Sequence, residues 1–213
     1  MIEDELNSIP AYLQSCKNEF WREVFRAELS YLRQHLEGKR DILSVGCGPA
    51  VIESGLSESG FRLTGLDISR EALNSAPDSI RTVVARAEDM PFPDSSFDAV
   101  VFIASLQFIE DYQKAIARTA NALRPDGKLI VMLLNPQSDF FKEKLTDPNS
   151  YIRRVRHINT SEIEAVIADK FSVRTEYFLG IREGKVFKSR NITDAALYII
   201  SGVKKSLKAD KSV

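Results

Sequence analysis

Cysteine is scarce in this chain: Cys16 and Cys47 are the only two among 213 residues. Two thiols, one of them inside a glycine turn, do not make a disulfide framework, so a reducing compartment is expected. Neither sign of charge dominates, with 29 basic and 30 acidic residues and a net charge of −1. That balance leaves no global field to gather nucleic acid or anionic lipid, and no stretch interleaves aromatic and basic residues as an RNA surface would. Long apolar runs are also missing. Leu129 to Leu134 is too short to span a bilayer, and Ala99 to Ile109 is interrupted by Ser105 and Gln107. The opening MIEDELNSIPAY is acidic and polar, unlike a secretory signal, so a cytoplasmic location is expected. Histidine occurs only at His35 and His157, with no metal-ligand partner at familiar spacing, and no metal is expected. His35 ends a predicted helix, where its imidazole suits the helix dipole. What remains is ordinary for a globular protein: 44% hydrophobic and 28% charged residues, enough to build a core and too apolar for disorder.

Apolar periodicity predicts a helix from Ala11 to Leu36, with Phe20, Val24, Ala27 and Tyr31 on one stripe and Trp21, Phe25, Leu29 and Leu32 beside it. Gly38 stops it. Such a helix covers a sheet face, and Trp21 or Tyr31 could reach the rim of a pocket. Predicted strands follow at Asp41 to Val45, Phe61 to Leu66, Thr82 to Ala85, Phe97 to Ile103 and Lys128 to Leu134. Helical stretches alternate with them: Ala50 to Gly60, Ser69 (as N-cap) to Ala76, and Tyr112 to Leu123. The fourth strand is almost wholly apolar, as a strand covered on both faces should be. Strands alternating with helices indicate βαβ units and a parallel, doubly wound α/β sheet. The loop Asp89 to Ser96 holds Pro91 and Pro93, and Arg124-Pro125-Asp126-Gly127 is a turn tetrapeptide. From Pro136 to Ile158 no clean period survives. Ser161 and Glu164 suggest a capping box for a helix to Phe171. Val173 to Ile181 and Ala196 to Val203 then read as a closing antiparallel pair, and the basic tail from Lys204 to Val213 as frayed.

The stretch DILSVGCGPAVIE, from Asp41 to Glu53, carries the chemistry. An apolar strand breaks into Gly46-Cys47-Gly48-Pro49 and then a helix, a turn that lets a ligand approach the backbone beside unpaired N–H groups. By itself this is a βα turn and no more. Asp67, at the end of the second strand, stands at about the distance in sequence where a nucleotide-binding fold places an acid on ribose hydroxyls. A carboxylate that caps the helix near Ser69 is the alternative.

Taken together, SVGCGPA, GLDIS, AEDMPFPDSSFDAVV, ASLQFIED and LRPDGKLIV resemble a class I S-adenosylmethionine-dependent methyltransferase, closest to its small-molecule type 11 branch. The resemblance covers Asp41 to Asn135. It implies a Rossmann-like, seven-stranded, mostly parallel sheet with an antiparallel C-terminal strand, under an N-terminal helical cover. It also implies S-adenosyl-L-methionine as cofactor and a small-molecule methyl acceptor as partner. Backbone at Gly46, Cys47 and Gly48 would pack on the methionine part and ribose. Asp67 would hold the ribose diol and Ile68 lie against adenine. Ala87 would offer an N–H to an adenine nitrogen, and Ile103 and Ala104 would meet the amino-acid end.

Three positions depart from the family's pattern. Many relatives carry an acid where this chain has Ser44, which can accept a hydrogen bond without bringing charge. Ala50 replaces a common glycine and is compatible at negative φ. Arg86 stands where an aspartate often accepts from the adenine amine, so Glu88 or Asp89 would have to take that role, or water would. Acceptor-site candidates are Gln107 and Phe108 beyond the fourth strand, with Tyr151 and Trp21. Gln107 either orients an acceptor or merely points outward, and cannot be a base at neutral pH. Tyr151 and Arg153 could meet an aromatic or anionic acceptor, whereas Arg153-Arg154-x-Arg156 also reads as a solvated face.

The expected organisation is one methyltransferase-like domain over 1–213. It comprises a helical cover at 1–38, a cofactor core at 39–135, a candidate acceptor-site insertion at 136–159, a C-terminal helix and strands at 160–204, and a tail at 205–213. Two other functions stay open: a non-catalytic binder or regulator of the same fold, and a nicotinamide-dependent oxidoreductase. Val51 weighs against the second, since a branched side chain stands where that motif needs its third glycine.

Overall fold

The structure, a computed structural model, describes Gln14 and residues 18–205. Cys16, the first residues of the predicted N-terminal helix and most of the predicted tail lie outside that range. Eight strands make one sheet. They are β1 (Asp41–Val45), β2 (Arg62–Asp67), β3 (Arg81–Val84), β4 (Phe97–Ile103), β5 (Leu123–Leu134), β6 (Phe171–Arg182), β7 (Lys185–Phe187) and β8 (Ala195–Lys204). Across the sheet they run β3-β2-β1-β4-β5-β8-β6-β7. Neighbours from β3 to β5 are parallel, and β8 is antiparallel to both β5 and β6. The sheet is therefore the mostly parallel α/β type expected, with the antiparallel closing pair in place. It has one strand more than the expected seven, because β6 turns back on itself. Glu183 and Gly184, at φ 50° and 70°, form the two-residue turn of a hairpin in which β7 pairs with β6.

Among the described residues six helices cover the sheet: α1 (Glu19–His35), α2 (Val51–Glu58), α3 (Arg70–Leu73), α4 (Tyr112–Ala122), α5 (Asp139–Thr146) and α6 (Thr160–Lys170). Successive residues of a strand face opposite layers, and here both layers are apolar. Ile42, Val101, Ile130 and Met132 pack with Leu32, Leu56 and Phe140 from α1, α2 and α5. Leu43, Val100, Phe102 and Val131 pack with Ile116, Ile163 and Ile167 from α4 and α6. This double burial explains why β4 and the end of β5 read as unbroken hydrophobic runs. Truncating Phe102, fully buried, to alanine would cost about 3–5 kcal/mol.

Several local expectations are corrected. The cap of α6 is Asn159, whose side chain accepts from the Glu162 N–H at 3.2 Å, and no Ser161–Glu164 box forms. Glu164 instead accepts from Tyr198 at 2.6 Å. Ser69 does cap α3, but that helix lasts one turn and ends at Leu73, short of Ala76. Arg124 to Gly127 makes its turn inside β5 as a bulge against β4, with Asp126 at φ 58°. The stretch without a period after Asn135 holds α5, capped by Ser138, and a 3-10 turn at Tyr151–Arg154. His35 sits in the last turn of α1, stacked on Tyr31, with Nδ1 2.8 Å from the Tyr31 carbonyl.

The two ends of the sheet differ. Where β1 and β4 begin, Asp98 accepts from the Arg40 and Asp41 N–H groups and from Arg124, and Asp41 pairs with Arg62 and Arg124. The opposite end, where β1, β2 and β4 finish, opens onto cavities.

Candidate functional site

After β1 the chain turns through left-handed backbone: Gly46 at φ 72°, Gly48 at 54° and Ala50 at 57°. Only glycine fits at 46 for a second reason as well, since a Cβ there would fall 2.5 Å from the Cβ of Ser105. Ser105 in turn donates to the Val45 carbonyl at 2.6 Å, locking the end of β4 to the end of β1. Cys47 packs its sulfur where Gly65 leaves room, 2.6 Å from the position a Cβ would take. The expectation of a negative φ at Ala50 fails: α2 starts from a left-handed residue, at a cost of about 1–2 kcal/mol. Ala104 (φ 47°) and Leu179 (φ 71°) are strained likewise, and both line a cavity. Ser95, Asp126 and Glu183 are left-handed as well, and none of these three lines either cavity.

Two cavities adjoin at this end, an inner one of about 480 Å³ and an outer one of about 830 Å³. Gly46, Asp67, Ala104, Phe108 and Arg154 line both, so the spaces meet at the end of β2. Asp67 spends one oxygen on the Gly48 N–H and the other on the Ser69 N–H, each at 2.8 Å. It does not itself cap α3, whose cap is the Ser69 side chain, but it braces that residue and the glycine turn while facing the cavities. The Gly46 and Cys47 N–H groups are taken by the Leu66 carbonyl. The outer cavity is bordered by Ile68, 63% exposed, and by Arg86, Ala87 and Glu88. Arg86 is held between Glu88 (3.0 Å) and Glu110 (3.2 Å), while Asp89 is drawn away to Lys114. Both bonds of Glu88 fall on Oε1.

The inner cavity has aromatic walls, with Trp21, Phe25 and Phe140 on one side and Phe108 stacked by Tyr151 on the other. Two carboxyls are buried in its lining, neither anticipated from sequence. Glu53 accepts from the Ser44 hydroxyl at 2.6 Å. Burial pushes its pKa up to about 7, against the Ser44 hydrogen bond and with help from Asp67. Glu28, 5% exposed, is pushed up to about 8 by burial and by the charge of Glu53. Burial, Glu53 and Asp67 also raise the Cys47 thiol, which stays protonated. The Tyr151 residue is 40% exposed as a whole, yet burial of its phenol oxygen and the charge of Glu28 raise its pKa. A signal for Glu28 existed: a carboxylate falls on the buried stripe of α1 between Val24 and Tyr31. Nothing local marks Glu53.

Of the expected site residues, Gly46, Cys47, Gly48, Asp67, Ile103, Ala104, Phe108, Tyr151 and Trp21 line the inner cavity. Ile68, Ala87 and Glu88 line the outer one. Ser44 lines neither; it is buried and its hydroxyl is committed to Glu53. Gln107 is corrected too. Fully buried, it donates to the Leu134 and His157 carbonyls and accepts from the Leu134 N–H, so it neither meets a ligand nor points outward. Its carbonyl takes the Arg156 and His157 N–H groups, which anchors the segment that brings Tyr151 and Arg153 to the rim. Arg153, Arg154 and Arg156 all border the outer cavity. Among the described residues, no three His, Cys, Asp or Glu side chains gather as a metal site, and no helix is long and apolar enough to cross a membrane.

Residues 43–131, which hold the glycine turn, Asp67 and β4, match the methyltransferase domain family. Over these residues the chain is similar to the class I S-adenosylmethionine-dependent methyltransferases, in their type 11-like branch. These are enzymes, and methylation dependent on S-adenosylmethionine is the chemistry the family brings. The chain is 29% identical over 160 residues to an uncharacterised protein of Methanocaldococcus jannaschii, covering 75% of this chain and 70% of that one. It is 29% identical to a demethylmenaquinone methyltransferase of Tropheryma whipplei, over 60% of this chain and 52% of the relative. The chain thus spans about half the length of that named methyltransferase. A solved S-adenosylmethionine-dependent methyltransferase of Thermotoga maritima superposes with a TM-score of 0.77 at 18% identity, covering 92% of this chain and 96% of that one. At that identity the likeness concerns the fold alone.

Proposed function

We propose that the chain binds S-adenosyl-L-methionine across the junction of the two cavities and methylates a small-molecule acceptor held in the inner one. The observation that carries this reading is Asp67, fixed by two backbone N–H groups with its carboxylate still facing both cavities. A carboxylate so placed accepts from both hydroxyls of a ribose. The turn also disfavours a pyrophosphate: the N–H groups of Gly46, Cys47 and Gly48 are already bonded, and Glu53 and Asp67 would repel a dianion. A ligand with a ribose, a cationic amine and no phosphate fits this donor set better than a dinucleotide.

Ile68 would lie against the adenine, Ala87 would offer its N–H, and Oε2 of Glu88 would accept from the adenine amine. Glu53, oriented by Ser44, would supply the charge that Ser44 lacks and receive the ammonium group. Ala50 gives α2 no side-chain cap, so the N–H groups at the start of that helix suit the cofactor's carboxylate. When bound, the cofactor supplies an electrophilic methyl on a good leaving group, so the chain's task is to position the acceptor and exclude water. The aromatic walls of the inner cavity serve both ends.

Calorimetric titration with S-adenosylmethionine and S-adenosylhomocysteine tests the reading. Both should bind, and Asp67→Ala should lose about 2–4 kcal/mol, or 30- to 1,000-fold in affinity, from two hydrogen bonds to a charged acceptor. Absence of binding by the parent, or an Asp67→Ala variant that binds like it, refutes the assignment.

A further inference from the structure

Glu28 is the buried carboxyl that the proposed cofactor site does not use. It comes from α1, the covering helix, whereas Glu53 comes from the first turn of α2 and Asp67 from the end of β2. Among the described residues, Glu28 has neither a hydrogen-bond nor an ion-pair partner, although it is 95% buried and lines the inner cavity. An unpartnered carboxyl in such surroundings is costly, by several kcal/mol when ionised, unless a ligand completes it. The walls around it are apolar and aromatic: Trp21, Phe25 and Phe140 near its own helix, Leu179, Ile181 and Leu197 from β6 and β8. The titratable groups on the same lining are Glu53, Cys47 and Asp67 on the turn side, and Tyr151 and Arg154 on the 3-10 turn. The strands β6 and β8 add none.

We propose that the methyl acceptor is a compact amine with an apolar or aromatic body, and that Glu28 pairs with its nitrogen and removes a proton from it. This rests on the methyltransferase reading above and names its substrate class. The aromatic walls hold the body of the acceptor, and the acid marks where its nitrogen sits. An ammonium group entering the cavity meets a carboxylate that lacks a partner. The N–H bond breaks toward the carboxylate, an O–H bond forms on Glu28, and the electron pair stays on nitrogen, which becomes the nucleophile. An anionic acceptor would instead face Glu28, Glu53 and Asp67 together. A neutral alcohol would leave Glu28 protonated and would form no ion pair with it.

Because Glu28 holds its proton to about pH 8 in the free protein, pairing with an ammonium at neutral pH must release that proton. The test is calorimetry with phenethylamine, phenethyl alcohol and phenylacetate, with and without saturating S-adenosylhomocysteine, at neutral pH in buffers of different ionisation enthalpy. Phenethylamine should bind at least about tenfold more tightly than the other two and release close to one proton. Glu28→Gln should abolish both the preference and the proton release while leaving S-adenosylhomocysteine affinity within about twofold. Glu28→Asp, which keeps the charge, should retain part of the preference and serves if the glutamine variant does not fold. Equal binding of amine and alcohol overturns the proposal, as does an amine preference that survives Glu28→Gln. A loss of S-adenosylhomocysteine affinity equal to the loss of amine affinity would assign Glu28 to the cofactor instead. Failure of S-adenosylhomocysteine to bind the parent would refute the methyltransferase reading, while the amine arm on the free protein still decides the role of Glu28.

Discussion

Acidic residues stand at both ends of the parallel strands, in opposite condition. At the starting end, burial opposes the charge of Asp98, but the Asp41 N–H, the Arg124 guanidinium and the Arg40 N–H outweigh it and hold its pKa below the usual carboxylate range. At the finishing end, burial pushes Glu28 and Glu53 well above that range, and no described cation pairs with either. Left-handed non-glycine backbone occurs at both ends, at Ser95 and Asp126 on the starting side. Left-handed Ala50 and Ala104 lie at the finishing end, where the turn must approach a ligand. One end is satisfied within the chain, the other is arranged for something outside it. Stability is invested at the first and withheld at the second.

The largest expected effect comes from closing the approach of β1 to β4. Gly46→Ala places a Cβ against Ser105 at φ 72°, and should lower stability by about 3 kcal/mol, read as a shifted denaturant midpoint with unchanged slope. A midpoint like the parent's would mean that the two strand ends are less tightly joined than the contact implies. Next is Glu28→Gln. The folded carboxyl keeps its proton up to about pH 8, whereas the unfolded one releases it near 4.5. The folded state therefore binds more protons between these values, and the parent should lose stability as pH rises through that window. Removing the group should raise stability by about 2 kcal/mol at about pH 9 and by little at about pH 4, followed by thermal melts. Asp98→Asn should act with the opposite sign. It should cost about 1 kcal/mol at neutral pH, with the difference fading as acid protonates the parent's Asp98. If both variants showed the same pH slope, the contrast between the ends would be lost. Smallest is Ala50→Gly, expected to stabilise by about 0.5–1 kcal/mol through relief of the left-handed residue.

The sequence exposes the core of the fold because double burial writes itself as continuous apolar strands, and glycine and proline punctuate the turns between them. It exposes the proposed cofactor side nearly as well: Gly46, Gly48 and Asp67 are short-range features of one βαβ unit, and all three line the inner cavity. The acceptor side is less legible. Gln107 lies two residues beyond Ser105 on the loop that should face a ligand, yet its amide is consumed by Leu134 and His157, partners 27 and 50 residues away. Ser44 is spent in the same manner on Glu53, a residue on the next helix. Glu28 becomes meaningful only when α1 closes over strands that come far later in the chain. Strand β7 escaped notice because three residues of a polar hairpin carry too little periodicity to register.

The position of β8 sets an order of assembly. This strand is the last of the eight along the chain, yet it is inserted between β5 and β6, which have no hydrogen bonds to each other. Until residues 195–204 are available, β5 ends the growing sheet with an open edge, a template for unwanted pairing. The half that carries the glycine turn and Asp67 can form from local βαβ contacts before then. Ala196 and Leu197 belong to β8 and line the inner cavity. The inner cavity is therefore walled on that side only once β8 is in place, and a chain lacking it would present the glycine turn and Asp67 without that wall.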